Sequence, residues 1–96
     1  MNRNHKLKIL PKFFQAIYNR DKMFEIRRND REFKVGDGIF FMEWDEEKQM
    51  YTGRQLGAEI TYIINDSEYC KEGYVTFSFE CGAASMNYSK EYLKVR

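Results

Sequence analysis

Seven residues carry the side chains from which this sequence would build a binding site: Lys8, Lys22, Glu25, Arg27, Asn29, Arg31 and Arg54. Lys22, Arg27 and Arg31 can each neutralise or hydrogen-bond a phosphate, while Glu25 can accept from the amino group of a base or hold Arg27 in place. Most of them lie in one stretch, Phe24-Glu25-Ile26-Arg27-Arg28-Asn29-Asp30-Arg31-Glu32-Phe33-Lys34-Val35-Gly36-Asp37. Read as an alternating strand, its start puts Phe24 and Ile26 on a core face and Glu25 and Arg27 on the opposite one. Asn29-Asp30 and Gly36-Asp37 are turn signals, so the residues between them form a short loop able to present Arg28, Arg31 and Lys34 to a partner. The alternative for the same residues is a solvated strand edge whose charges serve only solubility.

The elements that must position this stretch follow from hydropathy. His5 to Leu10 alternates as a first strand, with Leu7 and Ile9 inward and Lys6 and Lys8 outward. Pro11 ends it and suits the first turn of a helix running to about Asn19, whose stripe Phe13, Phe14, Ile17 and Tyr18 reads as core. Ile39-Phe40-Phe41-Met42-Glu43-Trp44 is apolar on both faces, as in a strand inside a barrel. Asp45 to Gln49 is a polar hairpin loop, closed by Tyr51-Thr52-Gly53-Arg54. A long strand follows from Leu56 to Ile64, with Ala58, Ile60, Tyr62 and Ile64 alternating against Glu59 and Thr61. Tyr74 to Phe79 is a fifth strand with Val75, Phe77 and Phe79 inward. Beyond Cys81 the sequence is open between a short helix containing Tyr88, Tyr92 and Leu93 and a last strand over Tyr92 to Val95.

The chain has 96 residues, enough for one domain with one modest core. Its 8 Phe, 7 Tyr and 1 Trp against a single Pro describe a packed chain and argue against a disordered one. The net charge of +1 conceals an asymmetry: residues 1–34 carry a net +6, residues 35–80 a net −7 and residues 81–96 a net +2. A basic first third beside an acidic middle is the pattern of a local nucleic-acid site, unless the two parts neutralise each other across the fold. Cys70 and Cys81 lack metal-ligand spacing and His5 is the sole histidine, so neither a metal nor a cofactor is expected and the thiols are expected to be free. No apolar run is long enough to span a membrane and no export signal is evident, so the expected location is cytoplasmic.

Lys22, Glu25 and Arg27 form a K-x-x-E-x-R pattern that resembles the G-x-K-x-x-E-x-R signature of ASCH domains in the PUA-like superfamily, with Arg20 at the leading glycine. The flanking residues are similar to an uncharacterised bacterial and phage branch of that superfamily, through His5-x-Leu7-Lys8-Ile9-Leu10-Pro11, Phe24-Glu25-Ile26-Arg27-x-Asn29-Asp30-Arg31-x-Phe33-x-Val35-Gly36-Asp37 and Tyr51-Thr52-Gly53-Arg54. The resemblance covers about residues 5–79. It implies a small, mostly antiparallel β-barrel with a cleft beside one helix, and binding of RNA or a nucleotide. Some ASCH-type proteins are amidohydrolases on acetylated cytidine that use a lysine, a threonine and a glutamate. Lys22 matches the lysine, but Glu25 stands where the threonine nucleophile would be, and a carboxylate does not replace an acyl-accepting hydroxyl.

The expectation is therefore a single α+β, PUA-like domain over residues 1–96, with 81–96 an unassigned tail. It is expected to be a monomer that binds RNA or a nucleotide through Lys22, Arg27, Arg31 and Arg54, with Lys8, Glu25 and Asn29 in support and Tyr51 as a possible stacking ring. No catalytic residue is assigned. The alternatives are an amidohydrolase acting on a modified nucleoside, and an accessory domain that meets a protein partner through Trp44, Tyr69 or Tyr74.

Overall fold

The computed structural model describes residues 2–95. Elements follow in the order β1 (Asn4–Ile9), α1 (Pro11–Tyr18), β2 (Phe24–Arg28), β3 (Gly38–Asp45), β4 (Met50–Ile64), β5 (Tyr74–Ser85) and α2 (Lys90–Val95). The strands form one sheet in the order β1-β3-β4-β5-β2, parallel only between β1 and β3. This α+β sheet curls into a half-barrel. The mostly antiparallel barrel expected from the sequence forms as an open one: β1 and β2 are the two edges, and side chains instead of a backbone ladder span the seam between them.

Curling follows from two irregularities in the β4–β5 ladder. The register shifts between Leu56 and Ala58, where the extra residue lies in β5, and again between Ile60 and Tyr62, where it lies in β4, and each extra residue bends and twists its strand. The second shift also reverses which β4 residues face inward. Leu56 and Ile60 are buried, Ile63 packs on the core, and Tyr62 and Ile64 are exposed, against the simple alternation expected. In β5, Val75, Phe77 and Phe79 point inward as expected, and the strand runs on to Ser85.

Leu10 is extended (φ −71, ψ 151), as the residue before a proline must be, and Pro11 starts α1. The helix has eight residues, so its apolar face is narrow: Phe14 and Ile17 are buried, whereas Phe13 and Tyr18 are exposed at 39% and 43%. Phe14 and Ile17 join Leu7, Ile9, Phe33, Ile39, Phe41, Leu56, Ile60 and the three β5 residues in one core. Each such side chain, once fully buried, contributes about 1.5–3 kcal/mol. Tilted ring pairs, Phe33 with Phe77 at 5.1 Å and Phe41 with Phe79 at 5.0 Å, add directional packing.

The last residues resolve as a helix. The Ser89 N–H donates to the Thr52 carbonyl at 2.7 Å, and the Tyr92 hydroxyl donates to Asp45 Oδ2 at 2.7 Å, so α2 is docked across β4 and the β3–β4 hairpin. Gly53 makes the docking possible. Its φ is +98, and a Cβ there would lie 2.4 Å from the Ser89 nitrogen. Cys70 and Cys81 are both free, and burial pushes the Cys81 thiol above its ordinary pKa. Among the described residues no helix is long and apolar enough to cross a membrane.

Candidate functional site

The seam between β1 and β2 opens into a cleft of about 480 Å³. Its floor is apolar, from Leu7, Ile9 and Phe33, and its rim carries Arg27, Arg28 and Arg31. The strand that supplies this rim is turned the opposite way from the expected one. In β2 the buried residue is Glu25 at 8% exposure, whereas Phe24 and Ile26 are 47% and 57% exposed. The physical reason lies across the seam. β1 has no strand on its outer edge, and its carbonyls there need donors, which an apolar inward residue cannot supply. Arg27 Nη2 donates to the Lys8 carbonyl at 2.8 Å and Arg31 Nη1 donates to the Lys6 carbonyl at 2.9 Å. Two guanidiniums thus take the place of a sixth strand.

Glu25 organises the cations around it. Its Oε1 accepts from Lys22 Nζ at 3.2 Å and from the Ile26 N–H at 3.2 Å, and its Oε2 lies 3.4 Å from Arg27 Nη2. One carboxylate is shared by an ammonium and a guanidinium, so the trio keeps a positive charge. Lys22 also donates to the Phe24 carbonyl at 2.8 Å. Arg20, two residues past the end of α1, has φ +68, the left-handed conformation that glycine adopts freely. That geometry turns the chain so that Lys22 N–H bonds back to the Ala16 carbonyl and the lysine meets Glu25.

Arg31 sits on a loop that is held from within. The Asn29 side-chain oxygen accepts from the Phe33 N–H at 3.1 Å, so Asn29 shapes the loop and does not line the cleft. Asp37, 1% exposed, accepts from the Lys34 N–H at 3.1 Å, the Arg3 N–H at 3.2 Å and His5 Nε2 at 2.7 Å. Burial works to raise the Asp37 pKa, but the hydrogen bonds from His5, Arg3 and Lys34 outweigh it and hold the carboxyl below its ordinary 3.8. Because the acceptor is a carboxylate, the proton in the shared bond belongs to His5 Nε2. The Arg3 guanidinium completes the clamp by donating to the Arg31 and Glu32 carbonyls.

Of the sequence candidates, Glu25, Arg27 and Arg31 meet in the cleft, and Lys22 joins them from behind Glu25. Lys8 lines it too, although its ammonium lies 3.8 Å from the Trp44 ring centre and its carbonyl is what faces Arg27. Arg54 belongs elsewhere. Its Nε is 3.2 Å from Oε1 of the buried Glu43, in an ion pair without an aligned hydrogen bond. Its guanidinium is flanked by Phe14 at 5.0 Å and Tyr88 at 5.2 Å, and Nη2 reaches Gln15 Oε1 at 3.3 Å. The Thr52 hydroxyl is buried against the same Glu43, donating at 2.7 Å. This second cluster ties α1, β3, β4 and the C-terminal segment together. Tyr51 stands edge-on to Trp44 at 4.9 Å, outside the cleft.

Sequence reasoning did not single out the His5–Asp37 pair or buried Glu43. A signal existed for two of them: His5 shares the inward register of Leu7 and Ile9, and Glu43 that of Ile39 and Phe41.

The family model described as "Domain of unknown function (DUF3850)" matches residues 4–79, from the start of β1 to Phe79 in β5, which includes the whole cleft and, of the Asp37 clamp, all but Arg3. The chain is also similar to the "Uncharacterized 12.9 kDa protein in GpA 3'region" of Escherichia phage P2, 29% identical over 72 residues. That alignment covers 75% of this chain and spans 64% of the length of the phage protein. With its matched segment running through every residue that lines the cleft, the chain belongs to the DUF3850 family.

Proposed function

We propose that this domain binds RNA or a nucleotide through phosphate groups seated in the cleft between β1 and β2. The observation that carries the proposal is the concentration of Arg27, Arg28 and Arg31 on one rim, faced only by Glu25 and Asp30 as acids. Arg31 spends its hydrogen bond on a neutral carbonyl, and Arg27 shares Glu25 with Lys22 so that the trio keeps a net positive charge for an anion. Arg31 approaches Asp30 no closer than 3.9 Å, between exposed side chains, where an ion pair is worth little. The likeness of Lys22, Glu25 and Arg27 to the ASCH signature of the PUA-like superfamily supports the same reading, and Lys22 and Arg27 both contact Glu25. Lys8, Asn29 and Arg54 act in this scheme by supporting the frame.

Filter binding of a single-stranded RNA octamer at near-physiological salt tests the proposal. Arg27→Ala should weaken binding by about tenfold to a hundredfold, the equivalent of one lost charge-assisted contact of roughly 1.5–3 kcal/mol, with circular dichroism unchanged. The slope of affinity against salt should fall by about one phosphate contact. Equal affinity in a folded Arg27→Ala protein removes the cleft from the site.

A further inference from the structure

The reversed strand leaves a feature that the phosphate cleft does not use. Phe24 and Ile26 project from the outer face of β2 and, with Phe13 and Ala16 of α1, line a groove of about 650 Å³. Single exposed apolar residues are ordinary. Here three of them, Phe13 at 39%, Phe24 at 47% and Ile26 at 57% exposed, surround one depression, and the Lys22 ammonium lies over both rings, 5.6 Å from Phe13 and 5.2 Å from Phe24. The groove and the arginine cleft share Phe13, Glu25 and Ile26, so they are two halves of one surface.

We infer that the groove seats the base of an unpaired nucleotide whose phosphate lies in the arginine cleft; this rests on the function proposed above. An apolar floor with aromatic rings fits the face of a base, and stacking of that kind tolerates any base. The groove is also lined by Asp21 and Glu25. An acyl chain seated there would strip water from those carboxylates without replacing its hydrogen bonds, whereas the exocyclic amino group of a base donates to them. The cationic rim of arginines adjoins the groove through the shared Phe13, Glu25 and Ile26, which matches a ligand with a flat apolar end and a phosphate end. Bases inside a duplex have no free face, so the surface selects single strands or free nucleotides.

Four probes separate the components: adenosine monophosphate, ribose 5-phosphate, a single-stranded oligoadenylate octamer, and the same octamer paired with oligouridylate. Binding is followed by amide chemical shifts of the labelled protein. Adenosine monophosphate should bind about five- to a hundredfold more tightly than ribose 5-phosphate, the range that one base–aromatic stack supplies. The single strand should exceed the duplex by a similar factor. Octamer binding far tighter than the mononucleotide identifies RNA as the source of the nucleotide; equal affinity identifies the free nucleotide. Phe24→Ser should bring adenosine monophosphate down to the level of ribose 5-phosphate and leave the latter unchanged. Ile26→Ser, also at an exposed position, should act in the same direction and guards against misfolding of the first variant. If the base adds nothing, or if both folded variants bind as the parent does, the base groove is wrong while the phosphate cleft stands. If none of the four probes binds, both fail.

Discussion

Asp37→Asn tests the clamp that positions Arg31. Asp37 is buried, and its two oxygens accept three hydrogen bonds, from the Arg3 N–H on one side and from the Lys34 N–H and His5 on the other. An amide keeps one of the oxygens. Whichever way it turns, its NH₂ group faces a backbone N–H that it cannot accept from. A buried polar group left without its partner costs about 1–3 kcal/mol, and the charge-assisted bond to His5 is weakened as well, so the loss should come to about 2–4 kcal/mol. For a domain of this size the melting temperature should fall on the order of 10–20 °C. The pH dependence gives the sign. Because the folded carboxyl is held below its ordinary 3.8, the stability contributed by its ionised form is complete above the unfolded pKa and is lost as pH falls through the folded one. Urea unfolding should therefore show a gap between parent and variant that narrows as the pH falls below about 4. Equal midpoints at pH 7, or a gap that widens as the pH falls from 4, would refute the reasoning.

Three further outcomes can be checked directly. Gly53→Ala forces a left-handed backbone on alanine and drives its Cβ into Ser89, so it should cost at least about 1–3 kcal/mol; trypsin should then cut at Lys90 and Lys94 faster than in the parent. Tyr92→Phe removes the hydroxyl whose hydrogen bond is the main cause of Asp45's lowered pKa, so an NMR titration should find Asp45 moved up toward 3.8. The Cys81 thiol, raised by burial, should react with iodoacetamide at pH 8 more slowly than free cysteine does.

The sequence order of strand, helix and four strands was legible because each element has a bounded apolar pattern, and Val75, Phe77 and Phe79 face the core as alternation requires. Alternation failed at two places, an edge strand and an interior one, for different reasons. In β2, hydropathy alone assigns Phe24 and Ile26 to the core, yet the positions facing the seam must hold donors for the Lys6 and Lys8 carbonyls. That demand depends on what lies across the gap, which no local pattern records. In β4, the extra residue between Ile60 and Tyr62 bends the strand and reverses its faces, which exposes Tyr62 and Ile64. Lys22, Glu25, Arg27 and Arg31 were identifiable as a group because they share one stretch. Arg54 looked similar in type, but its partner Glu43 sits on a strand that reads as uniformly apolar.

The strand order also sets a timetable for folding during synthesis. Both edges of the sheet, β1 and β2, come from the basic first third of the chain, while their ladders are completed by β3 and β5, with Phe24 opposite Ser78. The β3–β4–β5 meander can form by successive hairpins, but β2 has no partner until the ribosome has made Tyr74 to Ser78, the first part of β5. Until then a strongly cationic segment emerges with its edges open beside ribosomal RNA, and its arginines reach their carbonyls only when the last strand arrives.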